Sequence, residues 1–198
     1  TYFISLFAAD IQNTFALSHG AWGGIYSLGT TASAIVMIWA GGLTDHFRVR
    51  SLGALTLCGL GIACLTMAAN PFVWGLPIVI FALRLTGQGM VSHIAIVAMA
   101  RWFVATRGRA LSIAGLGFKL GEAALPITFV ALLAVVDWRV LWAIAALISF
   151  AGIPILLMLL RQERTPQSMA QESTRLGMNG LNWTRSQALR HPLFWLMV

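Results

Sequence analysis

Six long, mainly apolar runs occupy most of this 198-residue sequence, and they constrain the fold more than any other feature. The runs cover residues 1–17, 21–43, 51–69, 72–100, 108–136 and 139–160. A helix needs about 20 mainly apolar residues to cross the roughly 30 Å of hydrocarbon in a bilayer. The first run is slightly short, and the others reach or approach that length. The sequence therefore predicts an all-α membrane protein with six transmembrane helices.

Composition excludes the soluble alternatives. Apolar residues make up 59% of the chain and charged residues 10%, whereas typical globular proteins contain about 45–50% and about 25%. So few charged side chains could not cover the surface of a compact water-soluble form. A soluble enzyme, a nucleic-acid-binding protein and a disordered chain are therefore poor interpretations. We expect the lipid bilayer, and no nucleic acid, among the partners.

The positions of the basic residues predict the orientation of the helices. The chain has thirteen Lys and Arg residues and six acidic ones, and ten of the basic residues fall in alternate gaps between the runs. These ten are Arg48, Arg50, Arg101, Arg107, Arg109, Arg161, Arg164, Arg175, Arg185 and Arg190. The opposite gaps hold only Arg139, and the positive-inside rule assigns the richer side to the cytoplasm. We therefore expect a cytoplasmic N-terminus, in an integral protein of a bacterial inner membrane.

The polar stretch after the sixth run divides the chain into three segments. We expect a six-helix bundle over 1–160, a cytoplasmic linker over 161–191, and the beginning of a seventh transmembrane helix over 192–198. The sequence does not begin with Met and stops within an apolar stretch. We therefore interpret it as part of a longer protein.

Local motifs in the gaps resemble those of a known family. Residues 41–45 read Gly-Gly-Leu-Thr-Asp and lead into Arg48 and Arg50 between the second and third runs. Residues 101–110 contain an Arg-Trp-Phe and an Arg-Gly-Arg-Ala sequence, and 137–139 read Asp-Trp-Arg. Their order on six predicted helices resembles the N-terminal half of a major facilitator superfamily transporter. The last two motifs are similar to those of monocarboxylate-type and oxalate/formate-type members.

The resemblance implies a specific architecture. Superfamily members have two six-helix halves around a central cavity, and each half consists of two inverted three-helix repeats. The first and fourth helices would line the cavity, and the second and fifth would contact the C-terminal half, which this chain lacks. That half is therefore an expected partner. The resemblance also implies that a contact of Asp45 steadies the outward-facing state. Arg48 replaces a glycine of the family motif, and Val49 replaces one of its basic residues.

Ionisable side chains within the runs are the candidate functional residues, because each costs about 2.5–3.5 kcal/mol at the centre of a transmembrane helix. Arg84 and Gln88 lie four residues apart and so share one helix face. Arg84 would either hold an anionic substrate or influence proton coupling, or it would pair with Glu122. His93 points to nearly the opposite side, and we expect it to be a hydrogen-bonded packing residue.

The fifth run carries a second candidate group. Lys119, Glu122 and Pro126 are predicted to project from one face, and small residues form the other: Ala114, Gly117, Gly121 and Ala124. A smooth small-residue face permits close approach of another helix. Lys119 and Glu122 either neutralise one another or form a binding or proton site. At 1.5 Å per residue, Lys119 and Arg84 both reach about the middle of the membrane, so we expect Arg84, Gln88, Lys119 and Glu122 to share one cavity.

Residues near the membrane surfaces are candidates for gating or coupling. Asp10 lies on a stripe with Asn13 and Thr14 in the first run, and it would act either at an outer gate or against substrate. The corresponding group on the cytoplasmic side consists of Asp45, Arg48 and Arg50.

The predicted function is secondary active transport by alternating access. The substrate would be a small organic solute, with a monocarboxylate-like anion as the specific expectation. The alternative within transport is a drug or metabolite efflux permease driven by proton antiport. A channel or an intramembrane enzyme is a remote alternative, because the sequence contains neither a serine-protease motif nor a zinc motif for such an enzyme. A nucleotide-binding Gly-Lys-Ser/Thr motif is also absent, which argues against an ATP-driven pump. We expect no cofactor, no catalytic residues and no metal site.

Overall fold

A computed structural model describes residues 2–103, 106–161 and Arg190, which form helices and connecting turns with no strand among them. The 161–191 linker and the 192–198 helix start, apart from Arg161 and Arg190, lie outside the described residues. The α-helices are α1 (Tyr2–Leu6), α2 (Ala8–Phe15), α3 (His19–Ala40), α4 (Leu43–His46), α5 (Val49–Ala69), α6 (Leu76–Leu83), α7 (Val91–Trp102), α8 (Arg107–Leu133) and α9 (Trp138–Leu159). A 3₁₀ turn, Val73–Gly75, precedes α6, and a π-helical segment, Arg84–Met90, joins α6 to α7.

Five helical stretches in the described part of the chain are long and apolar enough to cross a membrane. They are His19–His46, Val49–Ala69, Val73–Trp102, Arg107–Leu133 and Trp138–Leu159. Each contains at least 21 residues, which meets the length that a bilayer requires. An integral membrane protein is thus the correct class, and the predicted second to sixth runs correspond to these five helices.

The first run differs from the predicted transmembrane helix. It forms α1 and α2, of five and eight residues, which are separated at Phe7. Phe7 and Ile11 are fully buried, and the Phe7 ring lies 5.5 Å from that of Trp142 between centroids and 6.3 Å from that of Phe129. Packing against α8 and α9 therefore holds this interrupted segment. Six transmembrane helices and the inverted repeats remain predictions.

The turn into α3 has an identifiable local cause. Ala16 has φ 50°, a left-handed conformation that costs a non-glycine residue about 1–2 kcal/mol. The Leu17 amide compensates by donating to the Gln12 carbonyl at 2.9 Å, and Ser18 accepts a 3.2 Å hydrogen bond from the Ala21 amide as the N-cap of α3. The chain therefore reverses between α2 and α3 without a long loop.

Helices α5 and α9 pack closely against each other at Gly61. A Cβ added at Gly61 would lie 2.7 Å from two carbons of the Phe150 ring. Only glycine permits this approach, because the ring already occupies the space of a side chain. This contact holds α9 beside α5, and both helices line a cavity around Arg84 and a second, apolar cavity.

Helices α3 and α8 are the least buried of the long helices. Only Gly29 and Ser33 are buried in α3, and only Phe129 in α8. Their exposed apolar side chains suit lipid or another helix, and the sequence resemblance assigns these two helices to a contact with a second half.

Candidate functional site

A cavity of about 440 Å³ lies among the π-helical segment, α5, α8 and α9. Most of its lining is apolar, with contributions from Leu60, Leu83, Leu125 and Trp142. Its polar lining residues are Arg84, Gln88, Ser92, Glu122 and Ser149. The structure thus brings three of the four predicted cavity residues to one space.

Arg84 is the buried cation of this cavity, with only 9% of its surface exposed. Its guanidinium donates hydrogen bonds to the Gln88 side-chain oxygen and to the Tyr26 hydroxyl, and it lies 4.9 Å from the centre of the Tyr26 ring. The predicted stacking of Arg84 and Gln88 is therefore present as a direct contact. Tyr26, on α3, fixes the guanidinium from the other side.

The backbone around Arg84 is a π-helix, in which the Val91 amide bonds the Thr86 carbonyl five residues back. Such wide turns are rare and often mark functional sites. The segment contains Gly87 and Gly89, which weaken the preference for a regular α-helix. The wide turn lies where Arg84 and Gln88 enter the cavity.

Glu122 and Lys119 form an ion pair beside the cavity. Lys119 Nζ lies 2.7 Å from Glu122 Oε2, and the exposed fractions of the two side chains are 73% and 30%. Glu122 lines the cavity, whereas Lys119 is not among its lining residues. Lys119 is therefore linked to the cavity through its ion pair with Glu122.

The two faces predicted for the fifth run are not separated as expected. Gly117 and Gly121 line the same cavity as Glu122 and Pro126. A Cβ at either glycine would meet nothing within 4 Å. Gly117 and Gly121 therefore border the cavity, with no neighbouring atom near the position of a side chain.

A second polar group joins the short helix α4 to the end of α7. Arg101 donates a 2.6 Å hydrogen bond to the Thr44 carbonyl and lies 3.6 Å from the Asp45 carboxylate. His93 Nε2 lies 3.0 Å from the Gly41 carbonyl and 3.3 Å from the Thr44 hydroxyl. These contacts attach the 41–45 motif to α7, and they agree with a hydrogen-bonded packing role for His93.

The remaining predicted gate residues lie outside the cavity. Arg48 is the N-cap of α5 with φ −65° and ψ 132°, an extended conformation open to any residue, so its replacement of a glycine introduces no strain. Arg50 is half-buried in the first turn of α5. Asp10 is half-buried in α2, and its carbonyl accepts a 2.7 Å hydrogen bond from the Thr14 hydroxyl.

Sequence reasoning missed Tyr26, and it expected a contact of Asp45 without identifying Arg101 as the partner. A Tyr within a transmembrane run is a signal of its own, since a buried hydroxyl usually requires a hydrogen-bond partner. Its partner lies 58 residues away in the chain, so no local pattern could have identified it.

Comparison with known proteins identifies the family. The Major Facilitator Superfamily model matches residues 1–198. No curated protein and no solved structure matches the chain. The chain belongs to the Major Facilitator Superfamily, whose members are membrane transporters of small solutes and not enzymes.

Proposed function

We propose that this superfamily member transports a small organic anion such as a monocarboxylate, and that the anion binds at Arg84 and Gln88. The observation that carries the proposal is the position of Arg84: a guanidinium, 9% exposed, in the lining of a largely apolar cavity within the membrane. A charge in such a place is costly, and intramembrane charges of this kind usually serve a function.

The chemistry of the cavity fits a carboxylate with a small organic body. A guanidinium presents paired donors that match the two oxygens of a carboxylate. The Gln88 amide nitrogen is a further donor beside it, and Tyr26 holds the guanidinium in orientation. The volume of about 440 Å³ falls within the roughly 300–1,000 Å³ of small-molecule sites. The apolar lining would accommodate the carbon skeleton.

The balance of charge around the cavity also supports an anion. Arg84 and Lys119 are positive and Glu122 is negative, so these three side chains carry a net charge of one positive unit. Lys119 belongs to the proposed site through Glu122, because their 2.7 Å ion pair offsets the negative charge of Glu122 at the cavity.

A proton-coupled efflux permease for drugs or metabolites is the second candidate. Glu122 favours it, because this carboxylate lines the largely apolar cavity together with Phe118 and Leu125. Protonation of Glu122 would release Lys119 and change the charge of the cavity, and this is the change that a proton-driven exporter needs. The two candidates differ in substrate charge.

We assign conformational coupling to the residues outside the cavity. The Asp45–Arg101 contact joins α4 to α7, so a movement between these helices must break or form it. Arg48 and Arg50 belong to the same end of the bundle, and Asp10 to the proposed outer gate. The N-terminus and the 161–191 linker would be cytoplasmic in a bacterial inner membrane, and a second six-helix half would complete the cavity.

The test measures binding of radiolabelled monocarboxylates and of uncharged analogues to the purified protein, followed by uptake in liposomes with the proposed second half present. Arg84→Ala should weaken anion binding about 10-fold or more, since a hydrogen bond to a charged group contributes about 1.5–3 kcal/mol. Gln88→Glu should have a similar effect in a folded protein, because it places a competing carboxylate beside Arg84. Arg107→Ala, at an exposed arginine outside the cavity, is the matched control.

Lys119 requires its own comparison. If it attracts the anion, Lys119→Ala should weaken binding even when Glu122→Gln is present. Full recovery in the double variant would show that the two residues only neutralise one another. Equal binding of uncharged analogues, together with unchanged affinity in Gln88→Glu, would refute the anion proposal and favour the efflux alternative.

A further inference from the structure

A second cavity, of about 510 Å³, lies between α5, α7 and α9. Its lining is almost entirely apolar and includes Val49, Gly53, Ala95, Trp102, Gly152 and Leu159. The residues that line it come from the first half of α5, from the whole length of α7 and from the second half of α9. The cavity therefore lies at one end of the bundle, the end predicted to be cytoplasmic, away from Arg84 and Glu122.

This cavity opens to the outside of the bundle. Ile155 and Leu159 line it and are 59% and 69% exposed. Ala95 also lines it and is exposed. Apolar cavities do not hold ordered water, since water needs polar partners. Because the cavity is apolar and opens to the outside of the bundle, a phospholipid acyl chain of the surrounding bilayer can enter it.

The charges at the edge of this cavity distinguish one class of phospholipid. Arg50 follows the lining residue Val49, and Arg161 directly follows the lining residue Leu160. Basic residues beside an inter-helix pocket on the cytoplasmic side favour anionic headgroups.

We propose that this cavity is a binding site for an anionic phospholipid, with one acyl chain between α7 and α9 and the headgroup phosphate at Arg50 and Arg161. The site is separate from the proposed transport cavity. Its selectivity resides in the headgroup, because an acyl chain gains little by leaving a bilayer that is equally apolar. The small residues Gly53, Ala95 and Gly152 provide the space for the chain.

The experiment uses the purified protein with phosphatidylglycerol or zwitterionic phosphatidylcholine, and native mass spectrometry counts the lipid molecules that remain bound. The wild-type protein should retain one phosphatidylglycerol molecule at least about 5-fold more often than phosphatidylcholine. The double variant Arg50→Gln/Arg161→Gln should reduce this preference to near unity. Arg109→Gln, at an exposed arginine in the first turn of α8, is the matched control and should keep the preference.

Filling the cavity tests the position of the acyl chain. Ala95→Phe should reduce retention of both lipids, because the ring occupies the space of the chain. Ala151→Phe, at an exposed position of α9 that does not line the cavity, should behave as wild type. Equal retention of the two lipids by the wild-type protein, or unchanged retention in Ala95→Phe, would overturn the proposal. A second copy of the chain bound in place of lipid would overturn it as well.

Discussion

Replacing Gly61 by alanine should destabilise the bundle through a single steric contact. The new Cβ would lie 2.7 Å from two carbons of the Phe150 ring, at least about 0.7 Å closer than ordinary van der Waals contact. Overpacking of this kind costs about 1–3 kcal/mol. Alanine also favours a helix over glycine by about 1 kcal/mol, which offsets part of the cost. We expect a net loss of about 1 kcal/mol in the free energy of unfolding.

Gly24→Ala separates these two contributions. Gly24 lies within α3, and a Cβ there would meet nothing within 4 Å. This variant therefore reports the helix preference alone, and Gly61→Ala should be about 1–3 kcal/mol less stable than Gly24→Ala. The free energies come from unfolding of the purified protein in mixed micelles, followed by circular dichroism.

A second substitution at Phe150 identifies the contact. Phe150→Leu should recover part of the loss in the Gly61→Ala background while it destabilises the wild-type protein, so the two changes should be non-additive by about 0.5–3 kcal/mol. If Gly61→Ala is as stable as Gly24→Ala, or if the changes at Gly61 and Phe150 add independently, the α5–α9 crossing does not limit the packing of the bundle.

Three further predictions concern other contacts. Arg139→Ala should lower the free energy of unfolding by about 1.5–3 kcal/mol in the same assay, because Arg139 Nη1 donates to the Ala68 and Asn70 carbonyls at the end of α5. The control is Arg109→Ala, at an exposed arginine. An unchanged stability of Arg139→Ala would contradict this role. Asp45→Asn should lower the transport rate and leave equilibrium binding nearly unchanged, because its contact with Arg101 lies outside the cavity; a large loss of affinity in a folded variant would argue against this. In a background without Cys58 and Cys64, Trp74→Cys should react with an impermeant maleimide from outside intact cells, and Arg109→Cys only after permeabilisation; the reverse pattern would invert the topology.

The five long helices could be predicted from the amino-acid sequence alone. Runs such as 51–69 and 139–160 end at charged or helix-breaking residues, because hydrocarbon excludes charge and requires every backbone group to bond within the helix. The corresponding helices, Val49–Ala69 and Trp138–Leu159, begin and end within two residues of those bounds. Family membership also followed from the sequence, since the motifs of the 41–50 and 101–110 gaps are local.

Part of the candidate cavity could also be predicted from the sequence. Arg84 and Gln88 are four residues apart on one helix, and this spacing alone predicts their contact. The pair of Glu122 and Lys119 follows from the same rule at a spacing of three. Local periodicity places side chains on one helix, but it does not determine which other helix they face.

The remaining features depend on contacts between helices that are distant in the sequence. The partner of Arg84 is Tyr26 on a different helix, Lys119 lies at the edge of the cavity and not in its lining, and the first run breaks at Phe7 to pack against α8 and α9. The apolar cavity between α7 and α9 likewise depends on where three helices diverge. Each of these features joins residues far apart in sequence, and the distances between helices depend on how all their side chains pack at once.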